Sequence, residues 1–321
     1  MLYLNDRDLR EVGLDWPALV ESVESTVRIM DSGDYAQPVK PYLRYNNPRN
    51  RIIAMPAYAG GEVNAAGIKW ISSFPDNIQA GLPRAHSIIV LNNPATGEPS
   101  AILNSPMPSI VRTASISGLM IRYFIEARPL VRIHLGIIGW GPIGQYHFQM
   151  AAALYGDRIE SIRIFDIRGA DLSGIPPIYR DRIEVAKTWA DVYRHSNIFI
   201  TCTVSNHRYI DLPPAKGSLL LNVSLRDYKP EALASVKAII VDDWDEVCRE
   251  NTDIEQLHLE QGLTCEGTRT ITDVVSRRCF ADFAADEPIF FCPMGMAVFD
   301  IATAVYYVKI AREKGIGTEL E

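Results

Sequence analysis

Cysteine is scarce and never paired at a metal-binding spacing. The five residues Cys202, Cys248, Cys265, Cys279 and Cys292 are odd in number and include no C-x-x-C. That excludes a disulfide framework and a zinc ribbon, and it fits a reduced, cytoplasmic protein. The histidines His86, His134, His147, His195, His207 and His258 contain no i, i+4 pair and no H-E-x-x-H, so no metal is expected. No apolar run approaches the roughly 18 residues of a membrane span. Met1-Leu-Tyr-Leu passes at once into Asn5, Asp6, Arg7 and Asp8, not into the apolar stretch of a signal peptide. Excess positive charge is missing too: the net charge is -7, there is no basic stripe, and nucleic acid is not an expected partner. Repeats and low-complexity segments are absent.

What remains is ordinary globular material. The 321 residues, 47% hydrophobic and 22% charged, provide for about two domains. Leu19, Val20, Val23, Val27 and Met30 recur at helical spacing from Asp15 to about Met30. Arg51-Ile-Ile-Ala-Met, Ala66-Gly-Ile-Lys-Trp-Ile and Ser87-Ile-Ile-Val-Leu then read as strands of an antiparallel sheet, with a turn at Asn92–Gly97. A helix from about Met107 to Glu126 leads into a second region. From Arg132 onward strands and helices alternate: Ile133–Ile138, a helix after Pro142, Ser161–Phe165, Asn197–Thr201, Ser218–Asn222 and Lys237–Val241. That alternation predicts an α/β, Rossmann-type doubly wound parallel sheet beside a smaller α+β domain. The expected division is 1–112, completed by a last helix within 295–321, and 113–294.

The strand Ile133–Ile138 runs directly into Gly139-Trp140-Gly141-Pro142-Ile143-Gly144, and a helical pattern through Phe148, Met150 and Leu154 follows. Glycines there permit a tight turn and close backbone approach to a pyrophosphate, whose charge rests on a helix N-terminus. Pro142 suits the first helical turn. Asp166 lies 27 residues after Gly139, at the end of the next strand, where an acid accepts the ribose hydroxyls and repels a 2′-phosphate. NAD is therefore the expected cofactor, with Ile167 beside Asp166 as a further contact.

Cations gather in the first region: Arg44, Lys69, Arg84 and Arg112. Lys69 stands between Ile68 and Trp70 in an apolar strand, where a buried ammonium is costly unless it is paired or used. Met55-Pro56, Gly67-Ile-Lys69, Gly97-Glu-Pro99, Arg112-Thr113-Ala114, the glycine loop, Thr201-Cys-Thr-Val204, Asn222-Val-Ser-Leu-Arg-Asp227 and Met294-Gly295 occur in an order that resembles the ornithine cyclodeaminase/mu-crystallin family over nearly the whole chain.

The resemblance implies that Lys69, Arg44 and Arg112 hold an amino-acid carboxylate, with Lys69 and Asp227 as the catalytic pair and Asp227 as acid/base. It places Thr203, Val223 and Ser224 along the cofactor and Met294 near the substrate, and it implies a homodimer formed through the first domain. Ser224-Leu-Arg-Asp227-Tyr-Lys-Pro230 departs from the Gly-Gly-Asp-Cys-Pro-Gly of the cyclodeaminases, and Arg84 stands where many relatives have threonine. An extra cation suits an amino dicarboxylate. Within the family the chain looks most like a branch that oxidises the glutamyl Cα–N bond of N-(2-amino-2-carboxyethyl)-L-glutamate with NAD. That branch releases 2-oxoglutarate and L-2,3-diaminopropionate for a siderophore. Ornithine cyclodeamination, an alanine or opine-type dehydrogenase, an imine reductase, and a mu-crystallin-like ligand-binding protein are the alternatives on the same scaffold.

Overall fold

Two units account for residues 1–129 and 132–321, which the computed structural model describes. One comprises Met1–Ser115 with Gly295–Glu321, the other Ile116–Met294. The boundary falls inside a helix, Met107–Ala127. No helix among the described residues is long and apolar enough to cross a membrane.

In the first unit, β1 (Leu2–Asn5) leads into α1 (Asp6–Val12) and α2 (Trp16–Asp31). Asp15 caps α2 by accepting the Ala18 amide at 3.1 Å. Its apolar stripe of Leu19, Val20, Val23, Val27 and Met30 is buried in full. Truncating Leu19 to alanine there costs about 2–5 kcal/mol.

The strands β2 (Tyr35–Ala36), β3 (Tyr42–Leu43), β4 (Arg51–Ala59), β5 (Ala65–Ser73), β6 (Ala85–Asn92) and β7 (Pro99–Asn104) follow. Across the sheet the order is β1-β7-β6-β5-β4-β2, with β3 also on β4 and the short strand Thr318–Glu319 beyond β1. The pairs from β4 to β7 are antiparallel, whereas β1 joins β7 in parallel. Alternation buries Met55, Ala57 and Ala59, and Lys69, paired opposite Met55, shares that inward face. The last helix, Ala297–Lys314, covers it. A Cβ on Gly67 would stand 2.3 Å from the Val90 carbonyl and 3.0 Å from Ile301, so only glycine lets helix and sheet come this close.

The second unit is an all-parallel sheet. Its strands are β8 (Ile133–Ile138), β9 (Ile159–Phe165), β10 (Ile183–Val185), β11 (Ile198–Thr201), β12 (Leu219–Asn222), β13 (Ala238–Val241), β14 (Arg269–Thr270) and β15 (Ile289–Cys292). They are ordered β10-β9-β8-β11-β12-β15-β13-β14. Every residue of β11, β12, β13 and β15 is buried, as expected of strands covered on both faces. The chain turns back between β9 and β11, the two neighbours of β8, and that reversal makes a crevice at the carboxyl ends of these strands where ligands bind. The α/β class expected above is the one observed. The short strands at the edges of the first sheet, two residues each in β2 and β3, are too brief to show a strand period in the sequence.

Candidate active site

The glycine loop lies at this topological switch. Gly139 has φ +91°, and a Cβ on it would meet the Cys202 carbonyl at 2.4 Å. A Cβ on Gly144 would stand 2.0 Å from the Gly139 carbonyl. Gly141 precedes the helix Pro142–Tyr155, with Pro142 and Ile143 opening its first turn, so unpaired backbone N–H groups are available there for an anion. The Asp166 carboxylate ties this loop to the end of β9: it accepts the Trp140 amide at 2.8 Å and the Arg168 amide at 2.8 Å. Each of its oxygens keeps a lone pair for a sugar hydroxyl. Arg168 Nε stands 3.7 Å from Asp166, and Ile167 is 89% exposed beside it. This cradle of close-packed glycines and an acid fits a dinucleotide.

His147, buried on the same helix, has a structural role. Its Nδ1 donates to the Ile143 carbonyl at 2.7 Å, its Nε2 accepts from Ser117 at 2.9 Å, and burial lowers its pKa to about 4, which keeps it neutral. Cys202 Sγ lies 3.8 Å from that Nδ1, and burial pushes its thiol far up, so the two form no nucleophile–base pair.

Asp227 is fully buried in the turn after β12. The Thr203 hydroxyl donates to one of its oxygens and the Ser224 hydroxyl to the other. Its main chain is held from a second carboxylate, Asp253. That group accepts the Asp227 amide at 3.0 Å, the Tyr228 amide at 3.1 Å, Asn222 Nδ2 at 2.8 Å and Arg208 Nε at 2.7 Å. Burial pushes Asp253 up to about 6, against the pull of the Tyr228 amide and Arg208. Leu225 at φ +72° marks how sharply the chain bends to present Asp227. Val223, one residue before Ser224, is half-buried in the same turn. Tyr209 stands nearby, its hydroxyl pushed up first by burial and then by Asp227.

The first unit holds the cations. Lys69 Nζ, 1% exposed, donates to Asp300 Oδ2 at 2.7 Å and to the Ser109 hydroxyl at 3.1 Å. Arg112 Nε donates to the other Asp300 oxygen at 3.1 Å. Burial would raise the Asp300 carboxyl, but Arg112 and Lys69 together hold it below the usual range. Burial brings Lys69 down to about 7, with Asp300 raising it and Arg112 and Lys40 lowering it further. Lys40, itself buried, donates to the Gly295 carbonyl at 2.7 Å. Gly295, at φ +85°, lies flat against Arg112: a Cβ there would be 2.7 Å from Nη1 and 2.8 Å from Nη2. Two cations thus share one carboxylate. The terminal nitrogens of Arg112 have no hydrogen-bond partner among the described residues, an open fork shaped for a carboxylate.

Lys69 and Arg112 therefore meet, as do Asp227, Thr203 and Ser224. Arg44 is exposed, with its guanidinium 4.9 Å from the Tyr42 ring. Arg84 is half-buried just before β6, and the half-buried Met294 donates its amide to Asp242 at 3.0 Å. Asp300 and Asp253 were not anticipated. Asp300 had a signal: it is the one charged residue in Ala297-Val-Phe-Asp300-Ile-Ala-Thr-Ala304. Asp253 had none, since it sits among other polar residues at a helix start.

A parallel sheet with a glycine loop at its switch point and an acid closing the second strand defines a Rossmann-type dinucleotide-binding protein, here joined to an α+β unit carrying a buried cation cluster. The chain belongs to the ornithine cyclodeaminase/mu-crystallin family, which it matches over residues 10–315. It is 32% identical to the N-((2S)-2-amino-2-carboxyethyl)-L-glutamate dehydrogenase of Staphylococcus aureus, across 100% of this chain and 98% of that one. Among solved structures it is similar to the Thermococcus litoralis Delta(1)-pyrroline-2-carboxylate reductase in complex with NADH and L-proline, with TM-score 0.86, 22% identity and 100% of both chains covered. An archaeal alanine dehydrogenase dimer with bound NAD gives TM-score 0.80 at 20% identity, covering 100% of this chain and 99% of that one.

Proposed function

We infer that the chain is an NAD-dependent oxidoreductase acting on the C–N bond of an amino acid, and we propose N-(2-amino-2-carboxyethyl)-L-glutamate as its substrate. The observation that carries this reading is the excess of buried positive charge in the first unit: Lys69 and Arg112 share the single carboxylate of Asp300. A buried cation without its full complement of counter-charge is costly. An anionic substrate supplies the missing charge.

In the reaction, the open fork of Arg112 and the ammonium of Lys69 grip a substrate carboxylate, and Arg44 and Arg84 serve the others. Asp227 accepts the proton of the secondary ammonium, which frees the nitrogen lone pair. The NAD that the glycine loop and Asp166 would hold would supply the acceptor for the hydride lost from the glutamyl Cα. After passing that proton to solvent, Asp227 takes a proton from water as the water attacks the iminium carbon and returns it to the nitrogen, so that the C–N bond breaks with the amine as leaving group. Substrate, NAD and water so become 2-oxoglutarate, L-2,3-diaminopropionate, NADH and a proton. Thr203 and Ser224 orient the Asp227 carboxylate throughout. The glycine loop and Asp166 hold the cofactor.

The test is to supply the purified protein and NAD with this substrate, with ornithine or with alanine, following NADH fluorescence and ammonia. NADH from the first compound alone supports the reading, whereas ammonia from ornithine without net NADH defeats it. Asp227→Asn is expected to bind NADH normally and to lose at least 100-fold in turnover, the scale of one general base. Undiminished turnover would remove Asp227 from its role.

The product chemistry suits a siderophore precursor. The protein acts as a homodimer through the outer face of the first sheet, where Trp70 is 42% exposed, and a solved relative of the same fold is a dimer. Trp70→Glu is expected to give monomers in analytical ultracentrifugation, and a wild type that is itself monomeric would refute this.

A further inference from the structure

The sheet face that carries Lys69 continues past it. Strand pairing aligns Met55, Lys69 and Ile89 in one row, Ile53, Ile71 and Ser87 in the next, and Arg51, Ser73 and Ala85 in a third. Directly opposed residues of antiparallel strands share a face, and residues two apart on a strand return to it, so all three rows face one way. The third row lies about 13 Å along the strands from the first. The last helix runs away from it. Asp300 meets Lys69 near the helix start, Ile301 packs at Gly67, and Val305 and Val308 lie by Ala65 and Leu91.

Two buried polar groups on the further rows have no hydrogen-bond partner among the described residues. Ser87 is 6% exposed, and its hydroxyl is buried with no hydrogen-bond partner among the described residues. The Nε of Arg51 is likewise buried and without a partner, and among the described residues no carboxylate lies within ion-pairing distance of this arginine. Asp76, the acid closest to Ser73 along the chain, pairs with Arg49 at 3.3 Å. Arg51 also has a cation facing it. Because Tyr42 pairs with Ile53 and Leu43 with Ile52, the next step along β3 sets Arg44 opposite Arg51. Both guanidinium groups lie over the one Tyr42 ring, at 4.9 Å and 5.5 Å.

We propose that Arg51, with Arg44 opposite it and Ser87 between it and Lys69, forms a distal carboxylate subsite that selects amino acids bearing a second anionic group. This rests on the functional reading above, in which Lys69 and Arg112 hold the first carboxylate. Long side chains rising from rows about 13 Å apart span a separation suited to carboxylates several bonds apart, as in a glutamyl chain. Arg51 and Ser87 then set specificity without touching the C–N bond.

Calorimetry on the NADH-loaded protein tests the subsite, with N-(2-amino-2-carboxyethyl)-L-glutamate, L-glutamate and L-alanine as ligands for wild type, Arg51→Gln, Arg51→Lys and Ser87→Ala. Arg51→Gln is expected to weaken the tricarboxylate by about 10- to 100-fold, the worth of charge-assisted hydrogen bonds. Arg51→Lys falls between, and Ser87→Ala loses several-fold. L-Alanine and NADH affinities stay unchanged, which also shows that the variants are folded. Equal weakening of L-alanine, or wild-type affinity for the tricarboxylate in Arg51→Gln, overturns the subsite. If wild type turns over the tricarboxylate and Arg51→Gln still binds it fully, the subsite fails while the reaction stands. If wild type ignores the tricarboxylate but binds L-glutamate in an Arg51-dependent way, the assigned reaction fails while the subsite stands.

Discussion

Lys69 Nζ and Asp300 Oδ2 lie 2.7 Å apart, and neither side chain is more than 1% exposed. A buried pair of this kind rarely adds net stability against an apolar core, but losing one member leaves the other charge stranded. Here the stranded charge has an outlet, because burial brings Lys69 down to about 7 and eases the loss of its proton.

Asp300→Asn is therefore expected to fold with lowered stability, by up to about 3–5 kcal/mol, and to move the Lys69 titration to lower pH. Thermal melting and the pH profile of KM read the two effects separately. Asp300→Glu should recover part of both. A KM profile unmoved by Asp300→Asn would show that Asp300 does not govern Lys69.

The pH dependence of the wild type has a defined sign. Lys69 is charged below about 7 and neutral above it, so grip on a carboxylate weakens as pH rises and KM climbs up to tenfold per unit beyond that point. Stability moves the opposite way. The folded pKa lies below the unfolded 10.5, so between about 7 and 10.5 the unfolded chain binds more protons, and the destabilisation due to this lysine is relieved as pH rises. Denaturation curves of wild type and Lys69→Met across that range check it, with the wild-type deficit shrinking towards pH 10.5.

Gly295→Ala tests the open fork of Arg112. The new Cβ would press within 2.7 Å of Nη1 and 2.8 Å of Nη2 at a residue whose φ is +85°. Backbone strain of about 1–2 kcal/mol is expected, with KM raised tenfold or more and NADH affinity unchanged. An unaltered KM in steady-state assays would show that the guanidinium position is unimportant.

Asp166→Ser removes the acid at the end of β9 and the partner of the Trp140 amide. NADH binding, followed by fluorescence titration, should weaken about tenfold. NADPH binding should improve, because the negative charge is gone and Arg168 Nε, now 3.7 Å from it, is released for a 2′-phosphate. No change in the ratio of the two affinities would exclude Asp166 from cofactor choice.

The chain by itself determined the parallel sheet, the glycine loop and its acid. Those features rest on local requirements: strands buried on both faces need continuous apolar runs, Gly139 and Gly144 have no space for a Cβ, and Asp166 is placed by the strand that ends before it. The chain also marked Lys69 as a charge out of place. Only the tertiary structure decided how that charge is met. Asp300 lies 231 residues from Lys69 and 188 from Arg112, and Asp253 lies 26 from the Asp227 it supports. No periodicity joins such positions. Packing that excludes water makes a buried charge seek a partner, and the fold decides which residue is within reach.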